Sequence, residues 1–351
     1  MIYCLGVRPG PCILSIGILE TAPACLRGRD YLSPDISMTE SRPPDLSVII
    51  VNWNTRDLLR RCLDSLAADA GGLKLQVIVV DNGSRDDSQS MLHAEYPDVL
   101  LIENALNAGF ARANNQGAAV ATARLLLLLN SDAAVLPGAL QAACAFMDAN
   151  PSVGIAGFQL LNDDGSLQAP GETFPTLIST IVSLLPLPVS WRARYEQNRS
   201  SRDYSQTAYV DTVYGAALLI RRDLFARLGG FDERFYFTGE EIDLCWRARE
   251  SGYEIAYLPS AQAIHSVGGS TKHMPSIRHG LLTQRGRYML LQGHVPRWQV
   301  AILYGYLVLF TAARLCRWSL RALRHGNLAN RTTAHLYARE LLWLLRHAGP
   351  S

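Results

Sequence analysis

The stretch Leu46–Asn54, with the sequence LSVIIVNWN, decides the fold class. It starts as a continuous aliphatic run, which is typical of a parallel strand buried on both faces. Similar aliphatic runs occupy Leu75–Val80, Val99–Ile102 and Arg124–Leu129, and amphipathic stretches typical of helices lie between them. Strands that alternate with helices predict an α/β protein with a doubly wound, mostly parallel sheet.

Polar residues follow three of these strands at the points where the strands end. They form the clusters Asn52-Trp53-Asn54, Asp81-Asn82-Gly83-Ser84 and Asn130-Ser131-Asp132. Because such sheets bind ligands beyond the carboxyl ends of their parallel strands, the clusters predict a ligand site there. We also expect Thr55 and Ser84 to cap the helices that follow them. No G-x-G-x-x-G motif and no P-loop follows the first strand, which argues against a nicotinamide-dependent dehydrogenase.

Composition and charge restrict the class of protein further. The 351 residues are 48% hydrophobic and 18% charged with a net charge of +2, which excludes a disordered or fibrous chain and gives no reason to expect a nucleic-acid partner. The seven cysteines lack metal-type spacing and predict reduced, packed thiols. The charge is asymmetric, because the segment from Arg285 to the C-terminus holds ten arginines and one acid, Glu340.

Four motifs, in this order along the chain, resemble those of glycosyltransferase family 2. They are VIIVNWN at Val48–Asn54, VDNGS at Val80–Ser84, NAGFA at Asn107–Ala111 and LNSD at Leu129–Asp132. The resemblance extends over Asp45–Thr271 and is strongest to the bacterial rhamnosyltransferase and galactofuranosyltransferase-like branch. It implies the GT-A fold, a nucleotide-sugar donor and inversion of the anomeric centre.

The resemblance also implies roles for the residues at the strand ends. Asp81 would accept hydrogen bonds from the pyrimidine of the donor, and Gly109 would let the backbone approach the nucleotide. Asn52, Trp53 and Asn54 would line the base and ribose pocket. The complete set of expected donor-binding residues is Asn52, Trp53, Asn54, Asp81, Gly83, Asn107, Gly109, Phe110, Asn114, Asn130 and Ser131.

A divalent cation, Mg²⁺ or Mn²⁺, is the implied cofactor. Asp132 stands at the last position of the family's D-x-D motif, and Asn130 replaces the first acid. His265 stands where relatives place a metal-ligating histidine, and a neutral imidazole would complete a shell that lacks one carboxylate. Two alternatives remain open: Asn130 and Asp132 cap the helix beyond Pro137, and His265 is a structural histidine.

The catalytic base is expected in the segment Thr238–Arg247, which resembles the family's acidic block. Glu241 aligns with the base position, where aspartate is usual, and Glu240 remains a possible substitute. In the alternative interpretation, these acids and Asp243 only match the positive end of a helix dipole. Gly215 and Ala216, in a strand pair predicted over Tyr209–Arg221, are expected on the acceptor side of the site.

The C-terminal segment predicts contact with an anionic membrane surface. Trp298–Ala313 is apolar, but its 16 residues fall short of the ~20 that span a bilayer. Tryptophan and arginine flank it, as suits the headgroup layer, and a second amphipathic helix is expected at Ala334–His347. Alternatively, the two helices form a hairpin that closes the core of the domain.

These observations predict four parts of the chain. They are a poorly structured leader over 1–44 with a working start near Met38, a nucleotide-sugar half over 45–157, an acceptor and catalytic half over 158–291, and an amphipathic helical tail over 292–351.

The predicted function is an inverting, metal-dependent glycosyltransferase of cell-surface polysaccharide synthesis, peripheral on the cytoplasmic face of the membrane. We expect dTDP-rhamnose as the donor, with UDP-sugars next, and a glycan or lipid-linked acceptor. A nucleotidyltransferase and a catalytically silent membrane scaffold remain as alternatives.

Overall fold

The computed structural model describes residues 42–168, 171, 173–185, 204–235, 238–266 and 276–347. The chain divides into two compact units, Met1–Arg42 and Pro43–Ser351, and the description below concerns the second. The predicted leader, including Met38, lies outside the described residues except at its C-terminal end.

The described residues form one sheet with helices on both faces. The strands are β1 (Leu46–Asn52), β2 (Leu75–Asp81), β3 (Leu100–Glu103), β4 (Leu125–Asn130), β5 (Ala133–Val135), β6 (Val153–Leu161), β7 (Ala208–Tyr209), β8 (Ala217–Arg221) and β9 (Glu254–His265). The helices are α1 (Arg56–Asp69), α2 (Ser88–Glu95), α3 (Phe110–Val120), α4 (Ala139–Ala149), α5 (Leu177–Leu184), α6 (Arg222–Arg227), α7 (Glu240–Glu250), α8 (Ser276–His294), α9 (Arg297–His325) and α10 (Leu328–Arg346).

The sheet is parallel in its first half and mixed in its second. The strand order is β3-β2-β1-β4-β8-β6-β9-β5, and β7 pairs with β9. Strands β3, β2, β1 and β4 run parallel, as the alternation of strands and helices predicted. Strand β8 then runs antiparallel to both β4 and β6, while β6 and β9 are parallel. The four predicted strands of the first half are confirmed to within one residue at each end.

Two hydrophobic layers cover the two faces of the sheet. Val48 and Ile50 point to the layer that contains the buried residues of α1 and α4, such as Leu59 and Leu140. Ile49 points to the opposite layer, which contains the buried residues of α3, α6 and α7. Successive strand residues face opposite sides of a sheet, so both layers follow from the uninterrupted aliphatic run of β1.

Two expected helix caps differ from the structure. Thr55 stands at the N-cap position of α1, but its hydroxyl makes no capping hydrogen bond. Helix α2 begins at Ser88 rather than at Ser84. In both cases the hydroxyl group is engaged by polar side chains at the strand ends, and these bonds take the place of the cap.

The C-terminal helices α8, α9 and α10 build a small core of their own. Its buried residues are Tyr288, Leu291, Val300, Leu303, Leu307 and Leu344. A buried ion pair closes it, because Arg285 Nε donates to Oε2 of Glu340 at 2.8 Å and Glu340 is only 1% exposed. The predicted hairpin packing is therefore present on the inner face of the tail.

Helix α9 is longer than the apolar segment Trp298–Ala313 that the sequence predicted. Among the residues that the structure describes, one helix is long and apolar enough to cross a membrane, namely Arg297–Arg324. The expectation that no segment reaches spanning length was wrong, because the helix continues through Arg314 rather than ending there. Arginine is a good helix former, and its long side chain can carry its charge away from an apolar helix face.

Candidate active site

The strand register brings the predicted polar clusters together at one edge of the sheet. Asn52 of β1 pairs with Asp81 of β2, and Val51 pairs with Asn130 of β4 on the other side. Because these three strands are parallel, their carboxyl ends meet at the same edge. The site expected at the strand ends is therefore a single site.

Asp81 is the centre of a buried hydrogen-bond network. Its side chain is fully buried, and Asn52 Nδ2 donates to Asp81 Oδ2 at 2.8 Å. The backbone N–H of Ser84 and the side chain of Gln89 donate to Asp81 Oδ1 at 2.9 and 2.8 Å. Asp81 thus holds the end of β2 to β1 and to the turn that follows it. A carboxylate accepts about four hydrogen bonds, so these three donors leave one lone pair of Asp81 unused.

Thr55 extends the same network toward β4. Its hydroxyl donates to Asn52 Oδ1 at 2.7 Å and lies 2.7 Å from the hydroxyl of Ser131, which is also buried. These side-chain bonds join the three strand ends in addition to the backbone pairing of the strands. The network gives the edge of the sheet a fixed shape before any ligand arrives.

Trp53 and Asn54 lie on the outer side of this network. The Trp53 side chain is 39% exposed, which is unusual for an indole and leaves an aromatic face open to a ligand. Asn54 adopts a left-handed backbone conformation with a φ of 55°. Its side-chain oxygen accepts from the N–H of Arg85 at 2.7 Å, and this bond ties the first strand end to the second.

The segment from Asn107 to Asn114 forms the start of α3. Gly109 is the N-cap residue with a φ of 88°, a value that favours glycine. Apart from its own helix and chain neighbours, no described residue has an atom within 4 Å of the position a Cβ would take. Asn107 Oδ1 accepts from the Gly109 N–H at 2.9 Å, and buried Asn114 donates to the carbonyl of Phe110 at 3.0 Å. The backbone at Gly109 is therefore open to a close approach by a ligand.

The turn at Gly83 brings this segment beside β2. Gly83 has a φ of 72°, and a Cβ there would lie 3.1 Å from the carbonyl oxygens of Asn104 and Ala105. Both the conformation and the lack of space favour glycine at this position.

Asp132 and His265 are brought together from distant parts of the sequence. Strand β5 pairs with β9, so Ala133 lies opposite His265, and Asp132 Oδ1 lies 3.3 Å from His265 Nε2. Both side chains are partly exposed, at 13% and 16%. Asn130 Nδ2 lies 3.4 Å from the same ring nitrogen.

This pair fits a divalent cation of the Mg²⁺ or Mn²⁺ type. One carboxylate oxygen and one imidazole nitrogen converge on a partly open position, which leaves room for the phosphate oxygens that such ions prefer. Within the described residues, no group of three or more His, Cys, Asp or Glu side chains could hold a metal. An ion held here would therefore take its remaining ligands from a bound diphosphate or from water.

The helix-cap interpretation of Asp132 is contradicted. The N-terminal amides of α4, at Gly138 and Leu140, donate to the carboxylate of Asp69 instead, at 2.5 and 2.9 Å. Since Asp69 occupies that helix end, neither Asn130 nor Asp132 is needed there.

The three acids at the start of α7 have different surroundings. Asp243 is buried and engaged by Arg247 at 2.6 Å and by His294 at 2.9 Å, so it is structural. Glu240 is buried too, and burial together with the nearby charge of Glu241 raises the pKa of its carboxyl. Glu241 is only partly buried. Of the three, Glu241 is the most accessible to an acceptor.

Gly215 and Ala216 connect the base position to the strand ends. A Cβ at Gly215 would lie 3.7 Å from Glu241 Cβ and 3.8 Å from the ring of Phe110, so helices α7 and α3 meet across this glycine. Ala216 accepts the backbone N–H of Asn130 at 2.9 Å. One short segment thus links Glu241 to the residue two positions before Asp132.

Several residues at the site were missed by sequence reasoning. Gln89 and the hydroxyl of Thr55 complete the network around Asp81, and His294 contacts Asp243 on the helix that carries Glu241. Gln89 lies on a helix with no motif of its own, and His294 lies 51 residues from its partner. The only signal for them was the presence of buried carboxylates, each of which needs donors.

The chain belongs to glycosyltransferase family 2. The sequence profile described as "Glycosyl transferase family 2" matches residues 47–229, which is more than half of the chain. The chain is therefore a glycosyltransferase, as the order of its four motifs implied, and the expected assignment to this family is confirmed.

Named relatives agree with this assignment. The chain is 28% identical over 312 residues to the N-acetylglucosaminyl-diphospho-decaprenol L-rhamnosyltransferase of Mycobacterium tuberculosis, covering 85% of this chain and 94% of that protein. Among solved structures, it is similar to the mannosyltransferase PcManGT from Pyrobaculum calidifontis in complex with GDP-Man and Mn²⁺, with a TM-score of 0.50, 19% identity, and 86% and 88% of the two chains covered. It is also similar to GalNAc-T7 with UDP, GalNAc and Mn²⁺, with a TM-score of 0.51, 16% identity, and 70% and 48% covered. The GT-A fold is confirmed.

Proposed function

We propose that this glycosyltransferase moves rhamnose from dTDP-rhamnose to a lipid-linked glycan acceptor, with inversion and with a divalent cation. The observation that supports the proposal is the short link from Glu241 through Gly215 and Ala216 to Asn130, because it connects the proposed base to the segment that carries Asp132. The choice of rhamnose is supported by the L-rhamnosyltransferase relative, which this chain matches over nearly its whole length.

The donor lies along the strand ends in this proposal. Trp53 and Asn54 contact the base and ribose, Asp81 accepts from the pyrimidine N–H, and the open backbone at Gly109 faces the nucleotide. Asp132 and His265 would hold the cation, which neutralises charge on the departing diphosphate. Both solved neighbours carry Mn²⁺ and a nucleotide or nucleotide sugar in their titles, which supports a divalent cation here.

Glu241 acts on the acceptor. Its carboxylate takes the proton of the attacking hydroxyl while that oxygen forms a bond to the anomeric carbon. The bond between this carbon and the diphosphate oxygen breaks on the opposite face, and the nucleoside diphosphate leaves with the electron pair. One base and one displacement give inversion.

The outer face of α9 supports a position on the membrane surface. Its exposed apolar side chains, at 49% to 83% exposure, are Trp298, Ile302, Leu309, Leu320 and Leu323. At 3.6 residues per turn these positions fall within about 60° of one another, so they form one stripe along the helix. The opposite face is buried at Val300, Leu303 and Leu307 and is not available to lipids. We therefore propose that α9 lies on the cytoplasmic surface of the membrane rather than across it.

A donor screen tests the proposed reaction. The purified protein is heated with Mn²⁺ and a panel of nucleotide sugars, and dTDP-rhamnose should raise the melting temperature most, because a ligand that binds only the folded state stabilises it. Slow release of sugar from dTDP-rhamnose should accompany the shift. Pyrophosphate formation from a nucleoside triphosphate would instead indicate a nucleotidyltransferase. If the protein neither releases sugar nor forms pyrophosphate, a catalytically silent scaffold is indicated.

A further inference from the structure

His265 is held at one ring nitrogen by Gln168, a residue that belongs to none of the sequence motifs. His265 Nδ1 lies 3.1 Å from Oε1 of Gln168. On the other side of the ring, His265 Nε2 lies 3.3 Å from Oδ1 of Asp132. Gln168 can present either an acceptor or a donor atom to Nδ1, and this choice decides which nitrogen carries the hydrogen of the neutral ring.

The orientation of the Gln168 amide follows from its own neighbours. Its Nε2 lies 2.6 Å from the carbonyl oxygen of His265 and 3.0 Å from Oδ1 of Asn162, and both of these atoms are acceptors. A flipped amide would place an oxygen against two oxygens, so Nε2 is the donor on this side. Oε1 then faces His265 as an acceptor, and Nδ1 must carry a hydrogen.

The backbone holds Gln168 in this place. The hairpin turn Asn162–Gly165 reverses the chain, and the Gln168 N–H donates to the carbonyl of Leu160 in β6 at 2.9 Å. Strand β9, which ends at His265, pairs with β6 in parallel. Gln168 thus lies where the ends of two neighbouring strands meet, and its amide bonds to both the backbone and the ring of His265.

We propose that Gln168 is a positioning residue that holds His265 in the Nδ1–H tautomer, so that Nε2 presents its lone pair beside Asp132 to a divalent cation. The inference rests on the proposed function, which supplies the cation. Histidines that bind metals commonly donate their other ring N–H to an oxygen acceptor, which sets both the tautomer and the ring orientation.

Gln168 also prevents a competing arrangement. Without an acceptor at Nδ1, the ring can carry its hydrogen on Nε2 and donate it to Asp132. The two atoms are already 3.3 Å apart, and a shift of a few tenths of an ångström gives an ordinary hydrogen bond. That bond would tie the two ligand side chains to each other and remove the lone pair. The Gln168 oxygen keeps both ligands available.

The test compares three variants of the full-length protein. Gln168→Met removes both the acceptor and the donor, whereas Gln168→Glu keeps an acceptor for Nδ1–H and loses only the donor to the His265 carbonyl and to Asn162. Gln262→Met is the matched control, because the Gln262 amide donates to Gln159 across the same strand pair without contacting His265. Mn²⁺ affinity is measured by electron paramagnetic resonance in the presence of dTDP. The His265 tautomer is measured by ¹⁵N NMR on metal-free protein at pH 8.5.

The expected result separates the three variants. Gln168→Met weakens Mn²⁺ binding about 10- to 100-fold and moves the ring hydrogen to Nε2. Gln168→Glu keeps the Nδ1–H tautomer and binds Mn²⁺ more nearly as the wild type does, and Gln262→Met changes neither property. If Gln168→Met binds Mn²⁺ as strongly as the wild type does, this inference is overturned. An Nε2–H tautomer in the wild type would overturn it too. Neither result would touch the proposed function. A wild-type protein that does not bind Mn²⁺ would overturn this inference together with the proposed metal role.

Discussion

Glu240 and Glu241 are adjacent in the first turn of α7, and their surroundings assign them different roles. Glu240 is 7% exposed, its Oε2 has no hydrogen-bond partner within the described residues, and burial followed by the charge of Glu241 raises its pKa. A carboxyl of this kind is protonated more readily than an exposed one and is less accessible than that of Glu241. Glu241 packs against Gly215 beside Phe110. The surroundings of the two side chains therefore favour Glu241 as the base.

Exchange of each acid for its amide tests this assignment. Glu241→Gln should lower the rate of transfer by ~10²-fold or more, because the hydroxyl loses its proton acceptor, while donor affinity stays unchanged. Glu240→Gln is the matched control and should retain most of the rate. Initial rates at saturating donor, together with a donor titration, measure both effects. If Glu240→Gln lowers the transfer rate more than Glu241→Gln does, the assignment of the base is reversed.

Asp132 is tested in the same way. Asp132→Asn should abolish measurable turnover at moderate Mn²⁺, since one of the two proposed protein ligands loses its charge. Asp148→Asn removes an exposed acid that pairs with Arg124 on the surface, and it should leave the rate unchanged. Rates are measured over a range of Mn²⁺ concentrations for both variants. A normal rate in Asp132→Asn at every Mn²⁺ concentration would exclude a ligand role for this residue.

At the scale of elements, α8 holds the helix that carries Glu241. His294, the last residue of α8, contacts Asp243 at 2.9 Å and Glu250 at 3.1 Å, both on α7. Its ring stacks on Trp246 with 4.5 Å between centroids, and Phe174 stacks on Trp246 at 4.4 Å. Burial alone would lower the pKa of His294, but the hydrogen bonds to Asp243 and Glu250 outweigh it and the pKa is raised.

Replacement of His294 should therefore destabilise the protein in a pH-dependent way. A histidine pKa that is raised on folding adds stability below the ordinary value of 6.5, and this stability is lost as pH rises through the folded-state pKa. His294→Phe keeps the ring stack but removes both donors. It should lower the free energy of unfolding by ~1–3 kcal/mol at pH 6, and by less at pH 9.

Urea unfolding at the two pH values measures this difference. His93→Phe serves as the control, because His93 is 69% exposed and its contact with Glu103 at 3.0 Å lies on the surface, where such pairs contribute little. An equal loss of stability in His294→Phe at pH 6 and pH 9 would contradict a contribution from the protonated imidazole.

At the scale of the whole molecule, the tail combines a buried inner face with an exposed apolar outer face. The inner face joins α8 through Tyr288 and Leu291, so deletion of the tail would also damage the core beside α7. Substitutions on the outer stripe test membrane contact without this damage. The charge distribution agrees with an anionic surface, because the arginines of the sequence are concentrated in this region.

The double variant Leu309→Glu, Leu323→Glu should lose membrane binding. These side chains are 73% and 83% exposed, and each leucine removed from lipid costs about 1.5–3 kcal/mol. Flotation with anionic vesicles should show binding at least ~10-fold weaker than that of the wild type. Val120→Glu, on an exposed position of α3, is the matched control and should float like the wild type. Unchanged flotation of the double variant would contradict surface binding by α9.

Local pattern predicted the first half of the fold well, and the reason is physical. The aliphatic run of β1 must be buried on both faces, and this requirement determines the parallel sheet and its two layers. The meeting of Asn52, Asp81 and Asn130 then follows from the parallel register. The order of strands in the second half depends on long-range pairing, such as β5 with β9, which no local pattern contains.

The candidate site was predictable where its residues resemble family motifs and not where residues outside the motifs take part. Resemblance placed Asp132 and His265 in one site, and their 3.3 Å separation agrees with that expectation. The roles of Thr55 and Ser84 were misjudged, since their hydroxyls bond to Asn52 rather than to helix amides. A hydroxyl before a helix has two possible partners, and only the folded structure decides between them.

The anomeric configuration of the product tests the central claim most directly. Wild-type protein is incubated with Mn²⁺, dTDP-rhamnose and a polyprenyl-diphosphate-linked sugar, and the product is examined by ¹H–¹³C NMR. A displacement driven by Glu241 on one side and diphosphate departure on the other predicts a single rhamnoside with the configuration opposite to that of the donor. A product with retained configuration, or no transfer from any nucleotide sugar, would contradict the account.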